Sequence, residues 1–269
     1  MANPFIASKE YCEAIQKELS NPRWSRSSLS MEFETDPEFL REILPPCFDM
    51  PDEAMGSVSI GKKQMSFGGE YDAAAVSFQA KYKHRNIERN ATYTLALYIS
   101  PEMPIIMGRE VWGEPKKEGI VQIYKCGSDV FAFAERNGVR LIELDGTLGE
   151  NEGPQDGGVY YNLDMKCIPS GQGYGWQTNP VVLVQENYVH HHVMMKGEGK
   201  LTLRSGRFDP IGEIPVLNVG KLVYTESVTT TTIPICDQLD NPEQYLPYFY
   251  GAYYDNFDLA RKGNIFNTF

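Results

Sequence analysis

The chain has 269 residues, of which 42% are hydrophobic, and its formal net charge is −11. This length and hydrophobic content allow a sizeable core, and we expect one domain spanning residues 1–269. The acidic charge argues against nucleic acid or an anionic membrane as partner, because both require a basic protein surface. No stretch approaches 18 apolar residues and no basic, then apolar, leader opens the chain, so a cytoplasmic location is expected.

The cysteines and histidines do not form a metal-binding pattern. Five cysteines are widely spaced, odd in number and without a Cys-x-x-Cys pair, which indicates neither a disulfide framework nor a zinc site. His190, His191 and His192 are adjacent in a predicted strand, where at most two can face the same way, and no nearby Cys, Asp or Glu completes a ligand set. We therefore expect no metal and no other cofactor.

The first hundred residues are predicted to be mostly strand after a short helix. That helix is expected within residues 4–19, before an Asn-Pro pair. Residues 31–35 alternate like an edge strand, and a second helix is expected from Pro37. Residues 58–97 have an interrupted strand pattern, in which the charged segment 81–89 is typical of a hairpin tip or lid.

The second part of the chain also has strand periodicity. Residues 101–107 form an apolar connection, and three strands of a meander are expected over residues 119–125, 130–135 and 139–144. Asn137-Gly138 predicts a tight hairpin turn between two of them. The acidic, glycine-rich segment 146–158 predicts a mobile loop. Strands are expected over 160–168, 181–195 and 219–232.

Many short strands with few helices predict an all-β fold with peripheral helices. The segment 245–257 contains five tyrosines. Such aromatic residues can close a pocket, but packing in the core or between subunits is the favoured interpretation. A homo-oligomer is therefore expected.

The segment 108–117 reads Gly-Arg-Glu-Val-Trp-Gly-Glu-Pro-Lys-Lys. A lysine amine attacks a ketone only when unprotonated, whereas a free lysine has a pKa of about 10.4. Burial and a neighbouring cation both lower that pKa, and a drop to near 7 requires about 5 kcal/mol. If residues 115–118 are extended, Lys117 points away from Lys116, so burial should be the larger cause.

This segment resembles the signature of the acetoacetate decarboxylase family, in which Gly-Arg-Glu leads through variable residues to Pro-Lys-Lys. The similarity extends weakly over residues 22–236. It implies a closed, cone-like antiparallel β-barrel, with Lys116 as the Schiff-base lysine and Lys117 as its cationic neighbour. It further implies that Arg26, Tyr71 and Trp112 bind the substrate.

The chain departs from the family pattern at three positions, one of which is a family glutamate that would fall near Val58 and Ser59 and is absent. Glu114 occupies a slot that is more often aromatic. A family glutamate, which orients the substrate carboxylate and drives its loss, aligns with Ala73. Glu70 and Asp72 are nearby acids, but strand alternation places both on the face opposite Tyr71 and Ala73.

Three functions remain open on these residues. The leading hypothesis is a carboxy-lyase in which Lys116 forms an iminium with a β-keto acid, acetoacetate-like or polyketide-like, and CO₂ is lost. The second is a Schiff-base aldolase, dehydratase or cyclase that acts on an oxo acid without loss of CO₂. The third is a noncatalytic binder of small molecules.

Overall fold

The computed structural model describes residues 5–65 and 68–255, and most of these lie in β-strands. The helices of this part are α1 Lys9–Ser20, α2 Pro37–Ile43, α3 Glu102–Met107 and α4 Leu246–Tyr253, with a π-helical turn at Gly108–Trp112 and 3₁₀ turns at Ile211–Glu213 and Pro242–Tyr245. The strands are β1 Arg23–Glu34, β2 Met55–Met65, β3 Gly69–His84, β4 Ile87–Ser100, β5 Lys116–Glu118, β6 Ile120–Cys126, β7 Asp129–Arg136, β8 Val139–Asn151, β9 Gln155–Pro169, β10 Trp176–Leu203 and β11 Asn218–Gln238.

Seven of the strands form a closed ring, in the order β11, β1, β2, β3, β4, β9, β10 and back to β11. The pairings are antiparallel, except that β4 pairs in parallel with β5 and with β9. The β4–β9 junction is short, because it joins only Thr92 to Asn162 and Tyr93 to Leu163. The predicted all-β fold with a closed ring of strands is confirmed, although the ring is uneven at this junction.

Strands β8, β7 and β6 continue the sheet as an antiparallel meander from the second half of β10. Both Asn137 and Gly138 have positive φ angles, 52° and 78°, so the predicted tight hairpin turn is confirmed. Alternate residues of the meander, such as Ala132 and Ile142, are fully buried in the main core together with Ile60 of β2. Burying a side chain such as Ile142 contributes about 1.5–3 kcal/mol, so this core fixes the scaffold on which the site is built.

The predicted edge strand at residues 31–35 is wrong in its position within the sheet. Residues 31–34 belong to β1, which pairs with β11 on one side and β2 on the other. Leu29, Met31 and Phe33 are buried on one face of β1, whereas Glu32 and Glu34 are exposed. The alternation was that of an interior strand with one solvated face, and such a strand has the same period as an edge strand.

The mobile loop predicted over residues 146–158 is also wrong. Strand β8 runs to Asn151 and β9 begins at Gln155, so only a short turn separates them. Gly146 pairs with Gly199 of β10, and a Cβ on Gly146 would collide with the carbonyl oxygen of Glu198. The glycines therefore permit close approach of two backbones and do not indicate flexibility.

The apolar connection predicted over residues 101–107 is helical. It forms α3, which continues into the π-helical turn Gly108–Trp112. Gly113 ends the turn with a φ of 74°, a left-handed conformation that favours glycine. The lysine motif therefore begins as a helical turn, and only its end is a strand.

The tyrosine-rich segment packs mainly in the core. Tyr245, Phe249 and Tyr253 are buried, whereas Tyr250 and Tyr254 are exposed. Core packing is confirmed for Tyr245, Phe249 and Tyr253, and residues 256–257 lie outside the described residues. None of the described helices is long and apolar enough to cross a membrane. The single domain predicted over residues 1–269 stays a prediction.

Candidate active site

Lys116 lies where the lysine motif changes from a helical turn to a strand. After Gly113, the backbone N–H of Glu114 donates to Gly108 O at 3.1 Å, and the N–H of Lys116 donates to Glu114 O at 2.8 Å. The chain then enters β5, where Lys116 is the partner of Leu97 on β4. These bonds fix the direction of the Lys116 side chain, which is only 3% exposed.

The Lys116 amine opens into a small chamber. Its volume is about 50 Å³, which is room for only a few heavy atoms. The lining residues are Pro22, Trp24, Lys63, Met65, Tyr71, Trp112, Glu114, Lys116, Asn162, Gln185 and Thr231. Lys116 Nζ lies 5.7 Å from the centre of the Tyr71 ring. Three predicted site residues, Lys116, Tyr71 and Trp112, are thus brought together here.

Arg26 lies in an adjoining compartment of about 20 Å³ that shares Lys63 with the first. Arg26 and Lys63 are direct cross-strand partners on β1 and β2. Arg26 Nε is buried without a hydrogen-bond partner, and Lys63 Nζ lies 4.4 Å from the centre of the Trp24 ring. In the described part of the chain, neither cation is within ion-pair distance of a carboxylate. The pair is therefore free to bind an anionic group.

Lys63 has an unusual electrostatic environment. Burial lowers the pKa of Lys63 to about 7; the Glu114 carboxylate opposes this shift, whereas the charges of Lys116 and Arg26 add to it. Lys63 is therefore a second amine in the chamber of Lys116, and it can be neutral near pH 7. It was not among the expected site residues, although its two-residue spacing from Met65 on β2 places both on one face.

Lys117 faces the other side of β5. Its Nζ lies 3.2 Å from Asp209 Oδ1, and Arg136 contacts the second oxygen of Asp209 at 2.6 Å. Burial lowers the pKa of Lys117, and Asp209 opposes that shift. This network borders a separate, mainly apolar cavity of about 280 Å³. The structure thus places Lys117 outside the chamber of Lys116, as strand alternation requires.

Acidic groups approach Lys116 from its own turn and from β9. Glu114 Oε2 lies 2.7 Å from Lys116 Nζ. On β9, the buried Asp164 accepts a hydrogen bond from Gln185 Nε2 at 2.5 Å. Burial raises the pKa of Asp164 well above its usual value, and the Glu114 charge adds to the shift. Burial and the Glu114 charge therefore both disfavour the ionised form of Asp164.

Both acids left a partial signal in the sequence. Glu114 interrupts an otherwise aromatic motif slot, and Asp164 is a single carboxylate between Leu163 and Met165 in a predicted strand. Their proximity to Lys116 depends on the π-helical turn and on the ring of strands, which the sequence pattern does not specify.

At the aligned position of the family glutamate, Ala73 is buried and lines the compartment of Arg26. Glu70 is exposed on the opposite face and pairs with Lys62 at 2.9 Å. Neither Glu70 nor Asp72 is among the described residues that line the two compartments. The acid that the family places beside the substrate carboxylate thus has no described replacement there.

The histidine run does not form a metal centre in the described part of the chain, where no group of three His, Cys, Asp or Glu side chains has suitable geometry. His190 and His192 are exposed, and their rings meet edge to face with centroids 5.0 Å apart. His191 alternates to the other face, where burial, and then the charge of Arg26, lowers its pKa.

Helix α4 is hydrogen-bonded to the lysine motif through Tyr253. The Tyr253 hydroxyl donates to Gly113 O, and it also lies 3.1 Å from Met165 O. Arg109 donates to Tyr253 O at 3.1 Å and to Lys116 O at 3.3 Å. The aromatic segment therefore supports the turn that positions Lys116.

Comparison with known proteins agrees with this architecture. A family model described as acetoacetate decarboxylase matches residues 4–238. The chain is 24% identical over 208 residues to an acetoacetate decarboxylase of Ralstonia nicotianae, covering 72% of this chain and 79% of the relative. A Burkholderia ambifaria acetoacetate decarboxylase is 25% identical over 206 residues, covering 72% and 78%.

Solved structures show the same fold at lower identity. The acetoacetate decarboxylase of Legionella pneumophila superimposes with a TM-score of 0.69 at 18% identity, covering 89% of this chain and 98% of that one. The enduracididine biosynthesis enzyme MppR, complexed with pyruvate, gives a TM-score of 0.64 at 16% identity, covering 79% and 90%. With the family model matching nearly the whole chain and a buried lysine in the expected ring of strands, the chain belongs to the acetoacetate decarboxylase family.

Proposed function

We propose that the protein is a Schiff-base-forming lyase that acts on a small oxo acid through Lys116. The observation that carries this proposal is the burial of the Lys116 amine, with only 3% of its side chain exposed, in a chamber that also contains ionisable groups. In such an environment the amine can condense with a ketone, and the resulting iminium is an electron sink. The substrate must be small at its reacting end, because the chamber holds about 50 Å³.

The first candidate reaction is decarboxylation of a β-keto acid, acetoacetate-like or polyketide-like. The N–C bond to Lys116 replaces the carbonyl oxygen, which leaves as water. The C–C bond to the carboxylate then breaks, its electrons move into the iminium, and CO₂ and an enamine result. Protonation of the enamine carbon and hydrolysis release the ketone. Family membership and the curated relatives support this candidate.

The second candidate is an aldolase, dehydratase or cyclase reaction without loss of CO₂. Two observations favour it: Ala73 lines the compartment of Arg26, and the cations there, Arg26 and Lys63, are not paired with a described acid. Two cations stabilise a bound carboxylate and so oppose its departure. MppR, a structural neighbour, has been solved with the condensation product of pyruvate and imidazole 4-carboxaldehyde.

Reductive trapping tests the proposal. Borohydride added with acetoacetate or pyruvate should increase the mass of the wild-type chain by one reduced adduct, and Lys116→Arg should give none, because arginine cannot form an imine. Measurement of CO₂ in the same incubations separates the two candidates. A wild-type chain that binds these acids without a trapped adduct is a noncatalytic binder and contradicts the proposal.

The partner of this reaction is a small oxo acid. The expected homo-oligomer, the cytoplasmic location and the absence of a cofactor stay predictions, which sedimentation, fractionation and activity after dialysis against a chelator would each check.

A further inference from the structure

The lysine motif holds a carboxylate directly against the proposed nucleophile. Glu114 Oε2 lies 2.7 Å from Lys116 Nζ, and the backbone N–H of Glu114 is fixed by Gly108 O at 3.1 Å. A Cβ on Gly108 would lie 2.5 Å from the Lys116 amine and 2.6 Å from the Glu114 oxygen. Glycine at this position therefore leaves the space in which the two side chains meet.

Glu114 is also placed to reach a bound substrate. Its side chain is 19% exposed and lines the same chamber as Lys116. In the iminium, the substrate carbon is bonded to Lys116 Nζ and lies only about 1.5 Å from that nitrogen. This carbon would therefore be within reach of the Glu114 carboxylate. The carboxylate thus contacts both the nucleophile and the place where the reacting carbon must lie.

The other groups near the amine are less suited to accept its proton. Burial, and then the Glu114 charge, raise the pKa of Asp164, and its carboxyl group already accepts a hydrogen bond from Gln185. Burial likewise raises the pKa of the Tyr71 hydroxyl. Lys63 can be neutral near pH 7, but it lies over the Trp24 ring and is a cation below that pH. Glu114 is the acid–base group in contact with Lys116 Nζ.

We propose that Glu114 is a catalytic acid–base residue, which moves protons to and from Lys116 and the carbon next to the iminium. This inference rests on the proposed iminium at Lys116. It names a residue that the family resemblance does not supply, because the family slot is more often aromatic.

One carboxyl group is sufficient to balance the protons of iminium formation. The ion pair of Lys116 and Glu114 carries one proton that both groups can hold, and its transfer from Nζ to the carboxylate leaves a neutral amine and a protonated Glu114. Nζ attacks the carbonyl carbon, and Glu114 protonates the oxygen. Glu114 then takes a proton from nitrogen and returns it to the hydroxyl, which leaves as water. An iminium and a Glu114 carboxylate remain.

The same carboxylate can then form the enamine. It removes a proton from the carbon beside the iminium, the C–H electrons form a C–C double bond, and the iminium nitrogen becomes neutral. The reverse step returns the proton. In deuterated water this cycle replaces hydrogen by deuterium at that carbon, even when no C–C bond is made or broken.

Deuterium exchange into the pyruvate methyl group, followed by NMR, tests the inference. Glu114→Gln should lower the exchange rate by roughly 10²–10⁴-fold, the usual contribution of a positioned acid–base group. Glu110→Gln is the matched control, because Glu110 is exposed on the π-helical turn that precedes Glu114, and it should exchange like the wild type. Added formate should partly restore exchange in Glu114→Ala, which a merely structural role would not allow.

Trapping with borohydride separates the possible failures. A wild-type chain that forms no adduct with pyruvate or acetoacetate contradicts the proposed function itself. A folded Glu114→Gln chain that forms the adduct and exchanges deuterium at the wild-type rate overturns only the role of Glu114. If the amide variant does not fold, Glu114→Ala takes its place, and a folded Glu114→Ala chain that forms the adduct and exchanges at the wild-type rate without formate would also overturn the inference.

Discussion

The two faces of β5 differ although they begin from adjacent lysines. Lys116 faces a small chamber with Glu114 at 2.7 Å, whereas Lys117 faces Asp209 at 3.2 Å on the other side of the strand. The cation that shares the chamber with Lys116 is Lys63, which comes from β2. Neighbours in the sequence are therefore not neighbours in the site, because a strand sends successive side chains to opposite faces.

The largest expected effect separates the two lysines. Lys116→Arg should lower kcat by a factor on the order of 10⁴ or more, because the nucleophile is lost while its charge and bulk are kept. Lys117→Arg should retain most of the activity, because that side chain lies on the other face. Steady-state turnover of the trapped oxo acid measures both. An equal loss of kcat in the two variants would contradict the conclusion that only the Lys116 face of β5 is catalytic.

The next effect concerns Arg26 and Lys63, the two cations of the Arg26 compartment. Arg26→Ala and Lys63→Met should each raise KM for an oxo acid roughly 10-fold to 100-fold, since a lost charged hydrogen bond costs about 1.5–3 kcal/mol. Binding of the corresponding neutral ketone should change much less. Equal weakening for the acid and the ketone would give both residues a structural role.

The pH dependence of binding sharpens the role of Lys63. Its pKa is lowered to about 7, so the side chain is a cation below that pH and neutral above it. Oxo acid binding should therefore weaken as the pH rises through about 7, and Lys63→Met should remove this inflection. A calorimetric titration at several pH values measures it, and an unchanged inflection in the variant would assign the ionisation to another group.

A smaller effect is expected from the charge of Lys117. Loss of a cation at about 8 Å in a medium of effective dielectric near 20 changes a pKa by roughly 1.5 units at most. Lys117→Met should therefore raise the pKa of the acid limb of kcat/KM only modestly. Met65→Gln, which places a polar group in the chamber wall, should raise it more. If Lys117→Met raised this pKa more than Met65→Gln did, the charge of Lys117 and not burial would be the main influence on it.

The smallest effect is on stability. The pKa of Asp164 is higher in the folded than in the unfolded state. The stability that protonated Asp164 contributes is therefore fully present below the unfolded-state pKa, and it is lost as the pH rises through the folded-state pKa. Asp164→Asn should remove that loss, so its Tm relative to the wild type should be higher at pH 8 than at pH 4.5. Asp145→Asn, at an exposed position of β8, is the control and should show no such trend.

The sequence was sufficient for features that depend on local pattern. The hairpin at Asn137 and Gly138 follows from turn chemistry, and the opposite directions of Lys116 and Lys117 follow from strand alternation. The segment 146–158 was misread because glycine serves both flexible loops and close backbone pairing. Distinguishing these requires the partner strand, here β10.

The composition of the chamber depends on long-range register. Lys63 enters it because β1, β2 and β3 align Lys63 with Arg26 on one side and Tyr71 on the other. Glu114 reaches Lys116 because a π-helical turn precedes β5. Neither register nor the turn leaves a periodic signal in the sequence, so the proximity of these two residues to Lys116 was found only in the structure.

Peptide mapping of the borohydride-trapped protein tests the central claim most directly. Lys63, with its pKa lowered to about 7, is the competing nucleophile, and Lys117 is the adjacent one. Fragmentation should locate the reduced adduct of acetoacetate or pyruvate on Lys116 alone. An adduct on Lys63 or Lys117 in the wild-type chain would contradict the account.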